Sequence, residues 1–235
     1  MRLSVAVMAH RVREAEVAEL VESLDRPVEV VWDVHEKPSS LPARRWATGR
    51  RTWEAHDSGA THHLVIQDDT LVVPDLIAGL ERSLGYVPDG AIASAYLGTK
   101  RPVPKLFEDL VEQARAEEAS WIVGRSLSWG PAIIAPVDTI EPMLKWCDRQ
   151  RGVAYDKRIG LYYRDVLRQT CWYTWPSLVD HRQGPSICGH GSVGRHAHET
   201  APGSALDVDW SGPVVCDERA VRKRMHGIEP RSVAA

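Results

Sequence analysis

The chain of 235 residues has one phenylalanine, four cysteines and no apolar stretch near the ~20 residues that span a bilayer. Each scarcity excludes something. Cys147, Cys171, Cys188 and Cys216 are far apart with no CxxC pair, which argues against a zinc knuckle and gives no disulfide framework; buried free thiols are the expectation. The run from Met1 to Met8 is too short for a secretory signal and soon meets His10-Arg11, so a cytoplasmic location without membrane contact is expected. Charge of one sign is missing as well. A formal net charge of -3 gives no general attraction to nucleic acid or anionic lipid. Only local clusters remain, at Arg44-Arg45, Arg50-Arg51 and Arg219 with Arg222-Lys223-Arg224. Internal repeats and a clear linker are absent too.

What is present fits a folded α/β chain. Hydrophobic residues make up 43% and charged residues 26%, a globular profile, and the length suits one core. Nine tryptophans serve equally in a core or for stacking on sugars or bases. Leu3 to Met8, Val28 to Asp33, His63 to Gln67, Ala91 to Leu97 and Trp129 to Ala135 read as strands. Helical spacing covers Val12–Leu24, Leu41–His56, the stretch from Pro74 to Leu84, Lys105–Ala116 and the stretch after Asp156. Asp138 and Glu141 fit a capping box that opens a helix through Trp146. Trp46 and Trp53, seven apart on one helix, read as core. Alternating strands and helices predict a single Rossmann-like domain over 1–215, its mostly parallel sheet flanked by helices, followed by a basic polar tail over 216–235.

The chemistry concentrates at Gln67-Asp68-Asp69, where an apolar strand ends. Parallel sheets bind ligands at that end of their strands. Two adjacent carboxylates either start a turn or hold a divalent cation that bridges to a diphosphate, and the residues alone leave both open.

The order Val5-Ala6-Val7-Met8-Ala9-His10, then Leu64-Val65-Ile66-Gln67-Asp68-Asp69, then Val72-Val73-Pro74-Asp75 resembles the glycosyltransferase A fold. Tyr155 to Gly160 and Trp175 to Arg182 are similar to the C-terminal half of compact bacterial and phage glycosyltransferases. Gln67 stands where a strict DxD motif has its first Asp. The resemblance implies a Mn²⁺ or Mg²⁺ site at Asp69, with Asp68 and His181. It also implies a nucleoside diphosphate sugar donor, UDP-glucose first, held by His10, Arg11, Arg13, Asp68, Trp129 and Gly130. Asp156 is implied as the base of an inverting transfer, although an Asp there also serves as a helix cap. The acceptor expected from related phage enzymes is a 5-hydroxymethylpyrimidine in DNA, with a cell-wall or small-molecule hydroxyl as the alternative; a phage-encoded chain would act in the host cytoplasm. His190, His196 and His198 form a Gly/His-rich loop that reads as a polar lid, with zinc binding the sharper but weaker idea. A metal-dependent phosphohydrolase ranks lower for want of a P-loop, and a non-catalytic sugar or nucleic-acid module has no use for paired carboxylates.

Overall fold

The computed structural model describes residues 1–39, 41–99, 104–184, 187 and 194–217. The chain opens with β1 (Leu3–Ala9), α1 (Glu14–Glu22), β2 (Glu29–Trp32), α2 (Pro42–Glu54), β3 (His62–Gln67) and β4 (Thr70–Val72). It continues through α3 (Leu76–Ser83), β5 (Ile92–Ser94), α4 (Pro104–Ala116), β6 (Trp121–Gly124), β7 (Ala132–Pro136) and α5 (Val137–Cys147). It closes with α6 (Tyr155–Leu161), β8 (Cys171–Thr174), β9 (Val179–His181) and β10 (Val214–Cys216). Eight strands form one sheet in the order β10-β6-β8-β5-β7-β3-β1-β2, and β4 pairs with β9 outside it. The mostly parallel, helix-flanked α/β sheet is present. Its departures are β7, antiparallel to both β3 and β5, and β6, antiparallel to β8.

The central strands are buried on both sides because apolar residues occupy successive positions and strand side chains alternate faces. Leu64 and Ile66 join Val7, Val17, Leu20, Ile77 and Leu80 under α1 and α3. Val65 joins Trp46, Trp53, Ile133, Ile140 and Ile159 under α2, α5 and α6 on the other side. Trp46 and Trp53 are thus core, as their spacing predicts. Cys147 and Cys171 are buried free thiols, and Cys216 is half-buried. Among the described residues no helix is long and apolar enough to cross a membrane.

Three readings are corrected. The strand expected over 129–135 begins only at Ala132. The capping box does not form: Pro136 occupies the cap, Asp138 lies inside the first turn, and the Thr139 hydroxyl donates to the Pro136 carbonyl at 2.7 Å. The short strands β4, β6, β8, β9 and β10 lie where the local pattern gave none. β10 runs to Cys216, and the Asp217 N–H donates to the Val123 carbonyl at 3.1 Å. The rest of the tail, with Arg219 and Arg222 to Arg224, lies outside the described residues.

Two contacts beneath the site yield predictions. The buried His63 ring clamps β3 between neighbours: Nε2–H donates to the Thr52 carbonyl at 2.9 Å, and Nδ1 accepts from the Ser4 hydroxyl at 2.8 Å. Burial holds this ring down at about 4, from 6.5. The native state then binds fewer protons than the unfolded chain between those values. His63's contribution is complete above pH 6.5 and is lost as pH falls toward 4, by about 3 kcal/mol at ~1.4 kcal/mol per unit. Chemical denaturation across that range will show this slope in the wild type and a shallower one in His63→Gln. Gly79 of α3 sits on the segment at Ala205, whose N–H donates to the Pro74 carbonyl at 2.9 Å. A Cβ there would come within 2.8 Å of the Ala205 backbone carbon and oxygen. Gly79→Ala will therefore destabilise by about 1–3 kcal/mol in urea unfolding, overpacking outweighing the ~1 kcal/mol helix gain.

Candidate active site

The site begins with register. Met8 pairs with Gln67, so β1 and β3 end level and His10 meets Asp68. One Asp68 oxygen accepts the His10 backbone N–H at 2.8 Å. The His10 ring turns back and accepts the Val12 N–H at Nδ1, 3.2 Å away, capping a single 3-10 turn over Arg11–Arg13. That turn brings Arg13 round to the acidic pair. Its Nη1 lies 2.7 Å from an oxygen of Asp68 and 2.7 Å from an oxygen of Asp69. All three side chains are nearly buried. Burial and the neighbouring Asp69 push the Asp68 carboxyl up, against the Arg13 cation and the His10 N–H, which pull it down. Burial disfavours the Arg13 charge too, yet the two carboxylates keep its pKa above the usual arginine value.

The second wall comes from the small sheet. Thr70 pairs with His181, and the Arg182 N–H donates to the Asp69 carbonyl at 2.7 Å. The His181 ring thereby lies beside Asp69, Nε2 to Oδ2 3.2 Å. His181 Nδ1 is 2.9 Å from the Arg182 carbonyl, which only accepts, so the proton sits on Nδ1. In the neutral ring the Nε2 lone pair then faces the carboxylate, a meeting that a shared cation relieves, and the carbonyl behind the ring is the usual support of a metal-binding histidine. Asp69 Oδ1 is buried with no hydrogen-bond partner among the described residues.

The third wall is the loop before β7. The Gln67 N–H donates to the Pro131 carbonyl at 2.8 Å. A Cβ on Gly130 would lie 2.7 Å from Gln67 Nε2 and 3.7 Å from the Asp156 Cβ, so glycine lets Gln67 and the start of α6 approach. Asp156 is the second residue of α6, whose cap is Ala154; its carboxylate accepts the Lys157 N–H at 2.9 Å. It is therefore not the helix cap that its sequence position allows.

The structure thus brings His10, Arg13, Asp68, Asp69 and His181 into direct contact, with Gln67, Gly130 and Asp156 adjoining. Two expected residues stand apart. Arg11 is exposed on the rim, its guanidinium 4.2 Å from the Trp32 ring centre and its Nη1 3.1 Å from Glu14. Trp129 is packed against Phe107, with ring centres 5.0 Å apart, and against Tyr173 and Tyr96. Of the loop histidines, His190 lies outside the described residues. His196 faces Asp180 at 3.5 Å, burial holds the His198 ring below its ordinary value, and among the described residues neither belongs to a group of three or more that could hold a metal. Asp180 is the residue that sequence reasoning missed. Its Oδ1 accepts the N–H groups of His181 (2.8 Å) and Ala197 (2.7 Å), tying β9 to the strap that follows the loop. No local pattern marks it, because both partners depend on tertiary pairing.

Among the described residues no three or more His, Cys, Asp or Glu are grouped to hold a metal by themselves. Both Asp68 oxygens are spent, on His10 and Arg13. Asp69 and His181 remain, one carboxylate and one imidazole. That donor pair fits Mg²⁺ or Mn²⁺ whose other positions are filled by phosphate and water, and imidazole favours Mn²⁺.

Neither a family model nor a curated protein sequence matches the chain. Among solved structures it is similar to mannose-1-phosphate geranyltransferase from Thermus thermophilus, at 12% identity over 74% of each chain with a TM-score of 0.32. A likeness that slight carries no argument about function.

The acidic pair generates its own prediction. Arg13→Ala leaves two nearly buried carboxylates without their cation and will lower stability at neutral pH by about 3 kcal/mol, read by denaturant unfolding.

Proposed function

We propose that the chain is a metal-assisted glycosyltransferase that moves a hexose from a nucleoside diphosphate sugar to an acceptor hydroxyl. The observation that carries the reading is the convergence of an acidic pair, a guanidinium and an imidazole at the carboxyl edge of the sheet, with Asp156 across Gly130. A departing diphosphate develops negative charge that Arg13 is suited to meet bidentately. His10 adds a buried Nε2 without a partner among the described residues, beside Asp68, a donor for phosphate or ribose oxygen. A Mn²⁺ or Mg²⁺ ion held by Asp69 and His181 would supply further charge stabilisation of the leaving diphosphate. Asp156 takes the proton of the acceptor hydroxyl as that oxygen attacks the anomeric carbon from the face opposite the leaving group, which makes the transfer inverting.

For the acceptor, a hydroxymethylated pyrimidine in DNA is the reading to test first, supported by the exposed Arg44 on α2. The support is narrower than the sequence suggests. Arg50 is paired with Glu54 and Asp148, and Arg51 donates to the Trp32 carbonyl at 2.8 Å. A cell-wall or small-molecule hydroxyl is the alternative acceptor.

Incubation with UDP-glucose and Mn²⁺ will release UDP slowly without acceptor and faster with one. Inorganic phosphate from a monoester would identify a phosphohydrolase instead, and no turnover a binding module. Asp69→Ala will abolish Mn²⁺-dependent UDP binding in calorimetry while the fold persists. Asp156→Asn will keep UDP binding and lower transfer by about 10²-fold or more. Retained transfer would remove Asp156 as the base.

A further inference from the structure

Resting on that reading of the site, we infer that Arg13 is a resident counter-cation whose place the metal must contest, so that the ion binds strongly only together with a nucleoside diphosphate that takes Arg13 over. One guanidinium nitrogen already serves both carboxylates, at 2.7 Å each. One of the two carboxylate charges that would attract a divalent ion is therefore already met from within the chain. An ion at Asp69 would sit within a few ångströms of a positive guanidinium, and like charges at that range in a nearly dry site repel strongly.

The arrangement also provides an exit. Arg13 ends a single 3-10 turn between β1 and α1, outside the sheet, so a turn of its side chain need not move a strand. Asp68 keeps the His10 N–H at 2.8 Å whether or not Arg13 stays, so the end of β1 remains pinned. Asp69 keeps the Arg182 N–H on its backbone carbonyl, and its Oδ1 has no hydrogen-bond partner among the described residues. A diphosphate supplies what Arg13 would lose, a group of anionic oxygens that a planar guanidinium engages bidentately. Metal and diphosphate then each remove an obstacle for the other, and the coupling is reciprocal. The want of a third protein ligand among the described residues points the same way, since phosphate oxygens would complete the shell.

The test is titration of Mn²⁺ into the full chain, followed by calorimetry and by the spectrum of free Mn²⁺, with and without saturating UDP. In the wild type, UDP will raise Mn²⁺ affinity by about tenfold or more. In Arg13→Gln, Mn²⁺ alone will bind about tenfold more tightly than to the wild type, and UDP will add little. The variant will melt lower than the wild type, and Mn²⁺ without nucleotide will restore its melting temperature. If Arg13→Gln does not fold, Arg13→Lys, which keeps one charge, must still show weak binding of Mn²⁺ alone. The inference is overturned by equal Mn²⁺ affinity with and without UDP in the wild type, or by no gain in Arg13→Gln. If that occurs while UDP-glucose turnover still needs Mn²⁺, only the coupling fails. If neither protein binds Mn²⁺ even with UDP, the metal-assisted reading of the site fails as well.

Discussion

Asp68 and Asp69 set two negative charges side by side where β3 leaves the sheet, and one nitrogen of Arg13 holds both. Neighbouring carboxylates with so little water repel, and burial with the neighbouring Asp69 pushes the Asp68 carboxyl up. The Arg13 cation opposes that push. Much of the local architecture serves to place it. The level ends of β1 and β3 place His10 at Asp68, the His10 ring caps the turn, and the turn aims Arg13. The small sheet then brings His181 to the remaining side of Asp69.

The division of labour within the pair follows from this wiring. Asp68 points inward and has both oxygens engaged, so it acts as a structural anchor for β1 and Arg13. Asp69 shares one oxygen with Arg13 and His181, and its other oxygen has no hydrogen-bond partner among the described residues. A buried acceptor costs free energy unless water or a ligand meets it. Gln67, the residue before the pair, lies instead against the loop ahead of β7, where a Cβ on Gly130 would come 2.7 Å from its Nε2.

Part of this was legible in the sequence. Leu64-Val65-Ile66 announced a strand buried on both faces, because consecutive apolar residues leave neither side for water, and Asp69 followed directly. Trp46 and Trp53 read as core from their helical spacing alone. Arg11 and Arg13, by contrast, are equivalent as letters; only the pitch of one 3-10 turn sends the first to Trp32 and Glu14 and the second to the acids. The strands β6 and β9 escaped notice because three or four residues carry too little periodicity, and their stability comes from partners far along the chain. Asp138 and Glu141 matched a cap by spacing, yet the proline before them had already defined the helix start.

The pairing of β4 with β9 has a consequence for how the site can vary. His181 reaches Asp69 because Thr70 faces His181, Leu71 faces Asp180 and Val72 faces Val179. Side chains along such a ribbon can change widely while the backbone holds its alignment. One residue inserted into β9 ahead of Asp180 would instead shift the ladder by a step and set Asp180, not His181, opposite Thr70, replacing an imidazole beside Asp69 with a third negative charge. Around His181 and Asp180, the alignment of this ribbon therefore constrains the site more than the identity of its other side chains.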